Sequence, residues 1–175
     1  MMKRLLLSLL LLTACDGEDS RQVLAERQLY EGPTAEIEDV ETLYSDSARL
    51  ELRLTAPLQQ EFNNGDRLFP DGVYVEFYNE AEVLESTLRA DWGRLESSTS
   101  LYTGRGDVVV HNLLKEETLK TEELFWDQKE ARIYTEKFVR IETPTEVLTG
   151  NGLTAAQDFS SYKILNPKGT FPIQE

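Results

Sequence analysis

The sequence predicts an all-β protein, and three observations carry that prediction. In Ala48–Thr55 the even positions (Ala48, Leu50, Leu52, Leu54) are apolar and the odd ones charged or polar. A period of two with one greasy face suits a half-buried antiparallel strand. Turn signals then recur about every 8 to 12 residues, the spacing of a sandwich, jelly roll or barrel, and no helical period competes with them.

The chain opens on Lys3 and Arg4, an apolar run from Leu5 to Leu12 broken only by Ser8, and then Thr13-Ala14-Cys15. Charge, a short greasy segment and small residues are the layout of an export signal. The run is too short to span a bilayer, which needs about 20 apolar residues. Residues 1–14 therefore read as a signal peptide. Ordinary cleavage after Ala14 would leave a soluble protein with one free thiol, since Cys15 is the only cysteine. Residues 15–38 are polar and acidic, with Gly17, Gly32 and Pro33 as breakers, and read as a tether with room at most for a short helix near Val23–Tyr30. Fully extended, about 20 residues reach roughly 70 Å.

The body, residues 39–175, reads as strand after strand. Val40–Tyr44 pairs with Ala48–Thr55 across the turn Tyr44-Ser45-Asp46-Ser47, and Pro57 ends the second strand. A polar connection, Gln59–Leu68, contains Asn63-Asn64-Gly65-Asp66. Pro70-Asp71-Gly72 turns into Val73–Tyr78, rich in the β-branched and aromatic residues that strands favour. Asn79–Glu82 returns the chain into Val83–Trp92, where Leu84, Ser86, Leu88, Ala90 and Trp92 share a face; Gly93 closes that strand and Glu96–Ser100 is a connection. Then follow Leu101–Asn112, Leu119–Trp126, Ala131–Thr135, Phe138–Ile141, Val147–Ala155 beyond the break at Pro144, and Ser161–Leu165.

Charge and composition narrow the function. The net charge of −14 opposes nucleic-acid binding, which relies on basic contacts to phosphate, and opposes binding of the body to an anionic membrane surface. His111 is the only histidine, so no multi-histidine metal site exists and any Ser-His-Asp triad would have to use it; it reads as a strand-end surface residue. The pairs Glu116-Glu117 and Glu122-Glu123 meet the needs of a glycosidase in residue type alone, because that chemistry demands two carboxylates facing across a cleft. With 32 Asp and Glu in the chain, solvated strand faces account for them. Gly104-Arg105-Gly106 precedes a strand, whereas a phosphate loop precedes a helix. The expectation is a non-enzyme without cofactor or metal.

Two resemblances sharpen this reading. Leu12-Thr13-Ala14-Cys15 resembles the lipobox of bacterial lipoproteins, which implies a diacylglycerol on Cys15 and cleavage before it. Acyl chains at about 0.8 kcal/mol per buried methylene then hold the body to a membrane. Asp16 resembles the signal that retains lipoproteins in the inner membrane. In the body, Asp71-Gly72-Val73-Tyr74-Val75 with Leu88-Arg89-Ala90, Gly104–Asn112, Leu119–Asp127 and Leu148-Thr149-Gly150-Asn151-Gly152-Leu153-Thr154-Ala155 occur in the order seen in the LptC family. Together they resemble that family from about Val40 to Gly169.

The resemblance implies a twisted β-jelly roll, open along one side and greasy within. Its partners would be lipopolysaccharide, an inner-membrane ABC transporter and a periplasmic bridge protein of similar fold, joined by edge-strand pairing. Better-known members use a transmembrane helix where this chain carries Cys15. If the apolar faces point inward, the candidate acyl-chain lining is Leu50, Leu52, Leu54, Val73, Val75, Phe77, Leu88, Val108, Val110, Leu124 and Trp126. The same residues would equally fill a closed core. The competing readings are a periplasmic or surface β-sandwich lipoprotein that binds protein or glycan, and a lipid-anchored hydrolase.

Overall fold

The computed structural model describes residues 30–168, which form eleven antiparallel strands and no helix. In chain order they are β1 (Ala35–Asp46), β2 (Arg49–Glu61), β3 (Arg67–Phe69), β4 (Val73–Tyr78), β5 (Leu84–Ala90), β6 (Trp92–Glu96), β7 (Leu101–Asn112), β8 (Glu117–Asp127), β9 (Arg132–Glu142), β10 (Val147–Ala156) and β11 (Tyr162–Lys168). The all-β jelly-roll expectation holds.

The pairings close a circuit. β2 joins β4 through Leu52–Thr55 and β3 through Gln60 and Glu61. From β4 the ladder runs through β5 to the second half of β7, and from β3 it runs through β6 to the first half of β7. Two long strands, β2 and β7, thus change partners midway, which closes one continuous sheet on itself around a shared core. In β7 the change falls on a bulge at Gly106 and Asp107, both at positive φ (74° and 39°). The carbonyl of Gly106 accepts from the Asp91 N–H at 2.9 Å, and Asp91 is the one-residue corner between β5 and β6. A Cβ on Gly106 would sit 3.0 Å from the Asp91 Cβ, so the corner requires glycine there.

Outside the circuit, β1 lies along β2, and β8, β9, β10 and β11 extend from β7. Within the described residues β1 pairs only with β2 and β11 only with β10, so each presents a free edge.

The structure corrects several boundaries. β1 starts at Ala35, inside the stretch expected to be tether, and Thr34 already donates to the Glu61 carbonyl at 2.6 Å. Pro57 does not end its strand. It lies where β2 passes from β4 to β3, a point at which no ladder bond needs its missing N–H. Part of the presumed Gln59–Leu68 connection is strand, the end of β2 and the start of β3. Gly93 is not a terminator but the second residue of β6. It is buried, and a side chain there would press on Val73 and Phe69 at 3.0 and 3.2 Å. Trp92 leaves the face shared by Ser86, Leu88 and Ala90 and lies half-exposed under the Arg105 guanidinium, 5.3 Å from its ring. The two runs Ala131–Thr135 and Phe138–Ile141 are one strand, β9, irregular where Glu136, Lys137 and Phe138 all face solvent.

Candidate functional site

The site is the interior enclosed by the sheet, and strand alternation builds it. Inward positions of β2 (Leu52, Leu54, Ala56), β4 (Val75, Phe77), β5 (Leu88, Ala90), β7 (Val108, Val110) and β8 (Leu119, Leu124, Trp126) are buried together. β9 and β10 add Ile133, Val139, Ile141, Leu153 and Ala155. Of the eleven candidate lining residues, nine are fully buried in this cluster. Val73 is half-buried and packs against it. Leu50 is half-buried in an outer cleft, at the start of β2, where the inward face runs out into solvent. Sequence reading missed Phe69, Leu119, Ile133, Val139, Ile141, Leu153 and Phe159 as interior residues. The alternation of Ile133 with Thr135 and of Val139 with Ile141 signals theirs; Phe159 stands alone in a turn and gives no periodic signal.

An aromatic cluster crosses the interior. Trp126 stacks on Tyr102 with centroids 4.7 Å apart and meets Phe77 edge-on at 5.7 Å. The Tyr102 hydroxyl lies 3.2 Å from that of Tyr44 on β1, tying the outer strand to β7. Burial, then the hydrogen bond to Tyr44, pushes the Tyr102 phenol well above its ordinary pKa, so it stays neutral. The Trp126 indole N–H donates to Gln157 Oε1 at 3.3 Å, so this buried donor is satisfied.

The interior is closely packed. One void of about 30 Å³ lies among Leu54, Phe69, Val75, Phe77, Leu88, Leu124 and Trp126. A second, of about 20 Å³, lies among Val110, Leu119, Ile141, Leu153, Phe159 and Tyr162. Each has room for about one water molecule. A larger cleft of about 230 Å³ opens outside, between Arg49–Glu51, Phe77–Glu80 and Glu85 on one side and Gln157 and Asp158 on the other. Phe77 lines both this cleft and the first void.

Polar groups are sparse within. Ser86 Oγ is fully buried with no hydrogen-bond partner. Asp66, near the β3–β6 pairing, accepts from Arg94 at 2.7 Å and from the Ser97 N–H at 3.0 Å. Those two contacts hold its carboxyl below the usual pKa. His111 is half-buried, its Nδ1 2.9 Å from Thr118 Oγ1. Among the described residues no group of three or more His, Cys, Asp or Glu could hold a metal ion. No helix among them is long and apolar enough to cross a membrane. Cys15 and Asp16 lie outside the described residues.

The free edges differ in charge. β1 carries Glu36, Glu38, Asp39, Glu41 and Asp46 and no basic residue, whereas β11 carries Lys163 and Lys168 and no acidic one.

Fold and interior together define a β-jelly-roll protein with an apolar inside and a free strand at each end of its sheet. A search of curated proteins finds no match. The family described as "Lipopolysaccharide-assembly, LptC-related" matches residues 4–167, nearly the whole sequence, and the chain belongs to that family. Membership gives it a role in lipopolysaccharide transport in the Gram-negative envelope, in a family not known for enzymes.

Proposed function

We propose that this chain is a lipopolysaccharide carrier in the periplasm, taking its cargo from an inner-membrane ABC transporter and passing it to a bridge protein of similar fold. The observation that carries the reading is the continuous apolar interior of the jelly roll; on this reading the acyl chains lie there and the sugar and phosphate stay outside in water. The acidic β1 and basic β11 edges offer backbone groups for strand addition at opposite ends of the sheet order. Residues 1–14 act as a lipoprotein signal peptide, lipid on Cys15 is the anchor, Asp16 keeps it on the inner membrane, and residues 16–34 form the tether. Energy comes from the transporter.

A photocrosslinker at Leu52 or Val110, both inward-facing, tests this beside a working transporter. ATP-dependent adducts with lipopolysaccharide are expected from both sites. A folded protein that yields none from either would sink the carrier reading.

The close packing favours a second reading, a β-sandwich lipoprotein that binds a protein or glycan on its surface. Voids of about 20 and 30 Å³ hold no acyl chain as they stand. The carrier must therefore part its strands or displace a side chain, while the binding module keeps its interior shut.

A further inference from the structure

The turn between β10 and β11, Gln157–Ser161, is folded over the second void. Phe159 at its tip is only 4% exposed, the sole large apolar side chain of the turn, and lines the second void beside Val110, Leu119 and Leu153. Its φ is 55°, a left-handed conformation that a bulky L-residue adopts only when its surroundings impose it.

Backbone bonds close the turn on itself, Ala156 N–H to the Ser161 carbonyl and Phe159 N–H to the Ala156 carbonyl, each at 3.0 Å, and its ties to the rest of the protein are polar. Asn112 Nδ2 donates to the Phe159 carbonyl at a long 3.5 Å, and Lys115 Nζ donates to the Ser160 carbonyl at 2.6 Å. Gln157 N–H donates to the Ala131 carbonyl at 3.0 Å, and its side chain caps the Trp126 indole. The same turn touches three spaces: Gln157 and Asp158 line the outer cleft, Phe159 lines the second void, and Trp126, held by Gln157, lines the first.

We infer that Phe159 is a plug, a phenyl group standing where one saturated acyl chain of the cargo lies, and that loading swings the 157–161 turn outward. This rests on the carrier reading and adds to it a place of access and a side chain that cargo must displace. Withdrawal of Phe159 would join the outer cleft to the interior and relieve the left-handed strain. An unbranched hydrocarbon would take over the apolar contacts with Val110, Leu119 and Leu153. Because cargo-free chains must first open, the apparent affinity is lowered by the fraction that is open at any moment.

The test uses the full chain in detergent micelles with 4-fluorophenylalanine placed at position 159 and rough-type lipopolysaccharide as the probe. Bound lipid is expected to move the fluorine resonance to a solvent-exposed position that a soluble paramagnetic agent broadens. Phe159→Ala is expected to bind a fluorescent lipid A about tenfold more tightly; should that variant fold poorly, the fluorine signal decides alone. Lipid bound with the fluorine still shielded overturns the plug and leaves the carrier reading standing. No lipid bound by the native chain overturns both.

Discussion

The two ends of the interior are closed by different means. Near Phe69 and Gly93 the seal is backbone: β2, β3, β6 and the first half of β7 are joined by unbroken pairing. Asp66 adds a side-chain lock there through Arg94 and the Ser97 N–H. At the other end the seal is a turn with a buried ring at a strained φ, held by three backbone bonds and by side-chain contacts from Asn112 and Lys115 rather than by a strand ladder. Opening the first end breaks a ladder of hydrogen bonds at once, whereas opening the second releases a few contacts and some strain. The proposed carrier role would use this difference, one end kept permanent and the other easy to open.

Substitutions break or sharpen this contrast. The largest effect is expected from Trp126→Ala, which removes a ring packed on Tyr102 and Phe77 and costs about 4 kcal/mol in denaturant unfolding. Phe159→Gly loses a comparable buried ring but recovers about 1 to 2 kcal/mol by freeing the left-handed position, so its net cost should be about half as great. Equal losses at the two sites would show that the left-handed position stores no recoverable strain.

Gly150→Val comes next. A Cβ there runs into Ile164 and stands 2.6 Å from the Asn166 carbonyl, so β11 must shift off β10. The expected cost is about 1 to 3 kcal/mol, with faster amide exchange across β11 and little change in β2–β7. Uniform exchange would show instead that β11 is as firmly held as the circuit.

Asp66→Asn should cost about 2 kcal/mol near pH 7, where the charged pair is intact. The folded-state pKa lies below the unfolded one, so the carboxylate's contribution is fully present above the unfolded value of about 3.9 and fades as pH falls through the folded value. Unfolding curves of the native and Asn proteins should accordingly converge below about pH 4. A gap constant from pH 7 to pH 3 would place the effect in packing rather than charge.

The smallest effect belongs to Ser86→Ala. The hydroxyl is buried without a partner on the strand that pairs with Asn112, and removing it should leave stability unchanged or raise it by up to about 1 kcal/mol. A clear loss would show that a bound water satisfies Ser86.

Much of the site is legible in the sequence. Leu52, Leu54, Val75, Phe77, Val108 and Val110 are buried as their alternation demands, because a strand's side chains must point to one face or the other. The illegible parts are of one kind. Pro57 and Gly93, ordinarily strand breakers, are inside strands because β2 changes partner around the first and because Phe69 and Val73 leave no room for a side chain at the second. Both depend on residues distant in sequence, to which a local pattern is blind.

The sequence by itself determined that this chain is built of strands with one apolar face, that the faces would be buried together, and that the body is acidic. Periodicity and composition are local quantities, and these follow from them. Only the tertiary structure decided that β2 and β7 each serve two neighbours, that the circuit closes one end of the interior, and that Phe159 fills the other. Those outcomes are set by which strand edges meet and by what volume their side chains leave, and neither exists until the whole chain has folded.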